Sequence, residues 1–389
     1  MSAPTKQRVA YIDWMRGLAC LVMFQTHCYD AWLGGAARKT SFFAWSQLGG
    51  TLPAPLFLFL AGVGVALATD HMRRQRIATN HIARTTILRG SEIFGFGLLF
   101  RVQEFLLGQP GASWTDLLRV DVLNVIGLSI ILMGAVSWLA AQGARPSAAK
   151  GTEDAALDSR LRVRSMLAAS LAAAAIALAT PPLWTTHRPH WLPWYVESYV
   201  NGVHTFDKPQ SWLFPVFPWA AFALAGLALG SFLGSPWGRR HELAAAAATG
   251  AGGAALFGLG FWLDARGPSL YSAYDFWHTS PNFFLIRTGV LMGIVPLSYA
   301  WCRWGAGRWR FSPLIELGRR SLVVYWVHIE FVYGRFSILP KGAQSIARAT
   351  VGLLVIFVAM TALATILNRN KGRGLRGLAF WRRPAGAAA

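Results

Sequence analysis

Apolar runs of about 20 residues, following one another with short polar breaks, constrain this chain more than any other feature. A run of that length is what a helix needs to cross a bilayer. Such runs stand at 11–33, 52–70, 85–107, 119–141, 163–185, 212–234, 243–264, 282–302, 316–337 and 346–367. The 389 residues are 54% hydrophobic and only 14% charged, far from the average soluble composition. The expected fold is therefore all-α: one polytopic membrane bundle over 1–389, with about ten transmembrane helices. The first run exceeds a signal-peptide h-region, carries Asp13 and Arg16 and lacks a small-residue cleavage site, so it is expected to stay in the mature protein.

A formal charge of +20 would suit nucleic acid, but no basic binding fold is visible. The distribution of Lys and Arg gives a better reason. With the N-terminus inside, about 24 of them fall on the cytoplasmic side, about 8 outside and about 5 within helices. Cytoplasmic stretches include HMRRQR, SRLRVR, GRRHE and CRWGAGRWR, whereas the outward loop LGQPGASWTD has no base. Both termini are expected in the cytoplasm, in a multi-pass protein of the inner cell membrane. The polar stretch at 143–161 reads as a flexible cytoplasmic linker, and 368–389 as a basic cytoplasmic tail. Cys20, Cys28 and Cys302 form no CxxC pair, so neither a disulfide framework nor a zinc or other metal site is indicated. The glycines of TGAGGAALFGLG read as helix-packing positions, not as a phosphate cradle.

The first run is where ionisable groups enter lipid. At 100° per residue, the eleven steps from Arg16 to His27 make three turns plus about 20°, which puts both on one face roughly 16 Å apart. Asp13, Cys20, Met23 and Asp30 lie within about 40° of that line. Ionisable residues at membrane depth are functional hypotheses by default, although Asp13 and Arg16 also suit a structural pair at i, i+3. His27 has Asp30 beside it, the ordinary arrangement for orienting a general base. A second stripe, Ser321, Tyr325 and His328 in LGRRSLVVYWVH, reads equally as a hydrogen-bonded helix contact. Counted inward along their helices, His27, His328 and Arg287 reach a similar depth in the outer half of the membrane. Together they would supply an acid, a base and a cation for an oxyanion, as acyl transfer needs. On the inner side Arg16, Arg84 and Arg89, among other arginines, can receive a phosphorylated co-substrate, with ordinary positive-inside anchoring as the plainer account.

The outward loops at about 185–212 and 264–282 are rich in aromatic residues, His and Pro. Trp194, Tyr195, His278 and Asn282 are their candidate substrate-binding residues, by stacking and hydrogen bonding to a sugar; interfacial anchoring is the alternative for the aromatics.

The stretches RVAYIDWMRGLACLVMFQTH and LPAPLFLFLAGVGVAL, followed by VDVLNVIGL, FPVFPWAAFALAGLALG, SPNFFLIRTGVLM and LGRRSLVVYWVH, resemble the heparan-alpha-glucosaminide N-acetyltransferase catalytic family. More distantly they resemble the acyltransferase-3 membrane group. The resemblance runs from about residue 8 to 335. It implies transfer of an acyl group, usually acetyl, from cytoplasmic acetyl-CoA or another acyl-CoA to a sugar amine or hydroxyl of a glycan or glycolipid. CoA would lie against the inner basic face, at Asp13, Arg16, Arg84 and Arg89, and the acceptor against the outer loops. In the acyltransferase-3 group the candidate catalytic His comes eleven residues after the Arg of an RG pair, which His27 matches. The glucosaminide enzymes have Asn at that position and a His in the loop beyond, whereas no His occurs here between Cys28 and Asp70. His27 is thus the expected base, oriented by Asp30, with Arg287 or Tyr325 stabilising the oxyanion and His328 nearby. The rival class is a transporter or flippase, since ten helices around a polar cavity also suit passage of a substrate. Membrane lipids are expected partners, nucleic acid is not, and oligomerisation is left open.

Overall fold

A computed structural model describes residues 10–142, 152–202, 214–266, 270–305 and 311–370, with the side chains of 152–157 excepted. Among these residues the chain is all-helical, with no strand beyond one isolated bridge between Leu33 and Gln344. The principal helices are α1 (Ala10–Trp32), α2 (Pro53–Arg74), α3 (Thr79–Leu107), α4 (Val122–Ala141), α5 (Thr152–Trp184), α6 (Val216–Leu233), α7 (Glu242–Arg266), α8 (Pro281–Ala300), α9 (Pro313–Arg319), α10 (Ser321–Val332) and α11 (Ile346–Arg369).

Seven stretches among the described residues are long and apolar enough to cross a membrane: Ser41–Arg74, Trp114–Ala141, Asp158–Trp184, Val216–Leu233, Glu242–Arg266, Pro281–Gly305 and Ile346–Arg369. The chain is a multi-pass membrane protein. Each of the other three expected spans differs for a visible reason. Helix α1 has the length but carries Asp13, Arg16 and Asp30, and α3 carries Arg84, Arg89, Glu92, Arg101 and Glu104. The run at 316–337 is not one helix. It breaks at Arg320 (φ −125°, ψ 21°), and α10, with 12 residues, is roughly 18 Å long against a core of ~30 Å.

The helices cluster in two compact units, Met1–Gly50 with Ala306–Ala389, and Thr51–Gly305. Neither boundary falls in the expected linker at 143–161. Residues 143–151 lie outside the described residues, and 152–161 form the first turns of α5. The alanines and leucines along α5 are strong helix formers. Of the expected basic tail, 371–389 lie outside the described residues.

In the first unit α1 packs on α9, α10 and α11. Gly17 and Gly318 make the approach of α1 to α9 possible: a Cβ on Gly17 would overlap the Leu314 carbonyl, and one on Gly318 the Asp13 carbonyl. The C-terminal end of α1 is tied to the segment before α11 by Gly342 N–H to Ala31 O at 2.9 Å, Gln344 N–H to Trp32 O at 2.8 Å and Gly34 N–H to Gln344 O at 3.0 Å. Trp32 Nε1–H adds a bond to Ser337 Oγ at 3.0 Å. At the other end Arg320 Nε–H donates to Asn368 Oδ1 at 2.8 Å, and Asn368 Nδ2–H to Glu316 Oε2 at 2.6 Å, which fixes the break between α9 and α10.

In the second unit glycines meet backbone across three helix pairs: Gly62 and Gly226 between α2 and α6, Gly90 and Gly127 between α3 and α4, Gly253 and Gly289 between α7 and α8. Gly250, Gly253 and Gly260 of the TGAGGAALFGLG stretch are packing positions, since small residues let apolar helices approach in lipid, whereas Gly258 has open space around it. Asp70 at the end of α2 is buried against Arg162 at 2.6 Å and Arg239 at 2.9 Å, with Arg74 as a third partner, while Arg73 donates to Ser165.

Candidate functional site

Helix α1 turns its polar stripe inward. Asp13, Cys20 and Met23 are buried, and Arg16, His27 and Asp30 are half-buried. Asp13 is paired with Arg16 at 3.5 Å and with Arg319 of α9 at 3.7 Å, which accounts structurally for one end of the stripe. Cys20 and Cys28 are free and buried.

At the other end two histidines meet. His27 Nδ1 lies 2.9 Å from His328 Nε2, and the two rings are parallel to within 8°. His328 is fully buried on α10, and its Nδ1 lies 3.0 Å from the Val324 carbonyl. Phe24 and Tyr325 pack against the His328 ring, with centroids at 5.0 and 5.8 Å, and Tyr333 sets its edge against His27 at 5.3 Å.

The backbone contact decides where the protons lie in the neutral pair. A carbonyl only accepts, so His328 Nδ1 carries the hydrogen, and a neutral imidazole with Nδ1–H has its lone pair on Nε2. That lone pair accepts from His27, whose own hydrogen must then be on Nδ1. His27 Nε2 is left with the lone pair. Val324 thus acts through His328 to hold His27 in one tautomer and one ring orientation, the task that a carboxylate performs in a serine-hydrolase triad.

Asp30 does not take that task, contrary to expectation. Its carboxylate accepts from Tyr333 Oη–H at 2.7 Å and lies 3.8 Å from Arg38, whose guanidinium also bonds the Asp30 carbonyl. Tyr333 and Arg38 escape a reading by helical face. Tyr333 follows the last residue of α10, and Arg38 sits in a separate short helix, Gly35–Arg38.

The remaining expected residues belong to the second unit. Arg287 on α8 stacks over the Phe283 ring at 4.1 Å, and its buried Nε has no hydrogen-bond partner. Arg84 and Arg89 lie on an exposed face of α3, where Arg89 pairs with Glu92 at 2.9 Å. Trp194 and Tyr195 open the short helix Trp194–Val200, their rings edge to face at 5.9 Å. Asn282 donates to Asp264 at 3.4 Å. His278 Nδ1 lies 2.6 Å from the Asp275 carboxylate, which also accepts from Trp277 N–H. Partial burial works against ionisation of Asp275, but the bonds from His278 and Trp277 hold its carboxyl below the ordinary value.

Residues 8–148 match the family model described as heparan-alpha-glucosaminide N-acetyltransferase, catalytic, so the resemblance read in the sequence is borne out over that stretch. The match takes in His27, Asp30 and all of α1 to α4, whereas His328, Tyr325 and Arg287 lie beyond it. No curated protein matches the chain. The family match and the membrane helices fit a membrane-bound acetyltransferase.

Proposed function

We infer, taking the match to a glucosaminide N-acetyltransferase catalytic family as premise, that this protein moves an acyl group, in the first place acetyl, from cytoplasmic acyl-CoA to a sugar amine or hydroxyl at the outer side of the inner membrane. The observation that carries the mechanism is the His27–His328 hydrogen bond with Val324 behind it. In this reading His27 Nε2 takes the proton of the acceptor as its nitrogen or oxygen attacks the thioester carbonyl. The bond to sulfur breaks, and the departing thiolate receives that proton from His27. While His27 is an imidazolium, His328 Nε2 accepts its Nδ1–H, so the developing charge meets a prepared acceptor without reorganisation. Asp30, one turn along α1, adds a negative potential, and Tyr333 and Arg38 fix its position.

The proposed topology keeps ten spans, with α1, α3 and the broken pair α9–α10 completing the seven apolar stretches and both termini in the cytoplasm. Charges on α1 are then turned to the site, and on α3 Arg89 pairs with Glu92 and Arg101 with Glu104 and Asp121. The unpartnered guanidinium nitrogen of Arg287 supports its proposed role toward an anion, the thioester oxygen in the transition state. Arg16, Arg84 and Arg89 are the proposed inner contacts for CoA phosphates, and Trp194, Tyr195 and His278 the proposed contacts for the sugar.

The test is CoA release from acetyl-CoA by the purified protein, wild type beside His27→Ala, against amino sugars and sugar alcohols. Release that needs an acceptor and disappears in the variant supports the reading. Equal traces from both proteins, with acetyl-CoA still bound, would remove His27 from catalysis and favour a transporter.

A further inference from the structure

A cavity of about 900 Å³ lies within the second unit, enclosed by α5, α6, α7, α8 and the segment before α8. It is at the upper end of the roughly 300–1,000 Å³ found for small-molecule sites. Its walls are small and apolar, with Ala173, Ala177, Ala225 and Ala228 along α5 and α6. The lining runs from Met166 to Leu178 on α5 and from Ala248 to Asp264 on α7, which at 1.5 Å per residue makes it roughly 18–24 Å long. That exceeds a single leaflet, about half of the ~30 Å hydrocarbon layer.

Polarity is concentrated at one end. Asp264, Tyr271, Tyr274, Ser280 and Asn282 form the mouth, and among the described residues the lining has no Lys, Arg or His. Ser170, Thr249 and Thr288 lie deeper. Thr288, six residues along α8 from Asn282 and so roughly 9 Å further in, lines the cavity at 4% exposure, and its hydroxyl has no hydrogen-bond partner. Thr249 on α7 instead returns its hydroxyl to the Ala245 carbonyl at 2.8 Å, the usual resort of a threonine in an apolar helix. A buried hydroxyl left without a partner calls for one.

We propose that this cavity holds a single long-chain lipid whose head is hydroxylated and uncharged or amine-bearing, joined to its chain by an ester or amide. The chain occupies the alanine-lined channel, the head donates to Asp264 and Asn282, and the ester or amide oxygen accepts from Thr288. A phosphate head is disfavoured, because the mouth offers a carboxylate and no cation. The proposal concerns binding alone, so it stands or falls independently of acyl transfer.

The probe is a monopalmitoyl glycerol carrying a mid-chain diazirine and a terminal alkyne, crosslinked to the full chain in phosphatidylcholine nanodiscs. Labelled peptides are expected from α5 to α8, and Ala225→Phe or Ala228→Phe should each reduce labelling at least fivefold. Leu171→Phe, on the exposed face of α5, should leave labelling unchanged. Unlabelled monopalmitoyl glycerol should compete at least tenfold better than hexadecyl phosphate, and Thr288→Val should narrow that gap severalfold. Labelling that survives both phenylalanines in folded protein, or equal competition by the phosphate, overturns the proposal. If the phenylalanine variants do not fold, the order of competitors and its response to Thr288→Val decide the matter.

Discussion

Replacing His328 by Ala tests the two-histidine arrangement most directly. The substitution removes the acceptor for His27 Nδ1–H and leaves the Val324 carbonyl without its donor. In the ground state the lost bond is neutral, worth about 0.5–1.5 kcal/mol net, whereas with His27 protonated it is charged, worth about 1.5–3 kcal/mol. Only the difference, about 1–1.5 kcal/mol, lowers the barrier, which is roughly tenfold in kcat/KM. Losing the base itself, in His27→Ala, should cost about 10²–10⁴-fold. The two effects should not multiply, because His328 acts only through His27: the double variant should be no slower than His27→Ala alone. His328→Gln, whose amide oxygen can accept the same bond, should recover part of the loss. The assay is acceptor-dependent CoA release with each variant at matched folded concentration. A His328→Ala variant slower than His27→Ala, or a double variant showing the product of both losses, would refute the assignment of base and support.

Three further outcomes follow from the packing and the loops. Gly17→Ala drives a methyl into the Leu314 carbonyl and should lower the thermal midpoint through a loss of about 1–3 kcal/mol, whereas Gly293→Ala, with open space around it, should be neutral or slightly stabilising. Asp70→Asn leaves Arg74, Arg162 and Arg239 facing one another without their shared anion. A loss of about 3 kcal/mol is expected, at the low end for a broken buried pair because two of those arginines are partly exposed, and thermal unfolding of the purified protein measures it. Asp275 has a carboxyl held below its ordinary value of 3.8, so its contribution is fully present above that value and is lost as pH falls through the lower, folded one. Fluorescence of the loop tryptophans should therefore stay flat from pH 7 to pH 5 and change only in stronger acid, and His278→Ala should move that change toward higher pH.

What the sequence discloses here depends on whether the determining contact is local. The stripe on α1 follows from 100° per residue and nothing else, and the structure turns it inward because Asp13 cannot face lipid without loss, with Cys20 and Met23 buried on the same face. His328 is recognisable by the same periodicity on its own helix. Its bond to His27 spans 301 residues and leaves no mark in either segment. The break at Arg320 is hidden likewise, since LGRRSLVVYWVH reads as one apolar run until Asn368 and Leu367 engage the arginine. The stretch 143–161 is polar by composition, and of it 152–161 form the start of α5, a local helix signal that composition alone does not display.

Asp30 shows how far the difference reaches into chemistry. Spacing at i+3 makes it His27's nearest carboxylate, and a carboxylate bonded to His27 would make the pair an ordinary His–Asp dyad. The ring nitrogen that such a dyad would use is already committed to His328, and Asp30 accepts from Tyr333 instead. A neutral imidazole stabilises an imidazolium less than a carboxylate does, but burying it costs far less in a membrane helix bundle. His328 is therefore the support that a site at this depth can keep dry. Asp30, half-exposed, is held instead by Arg38 and Tyr333.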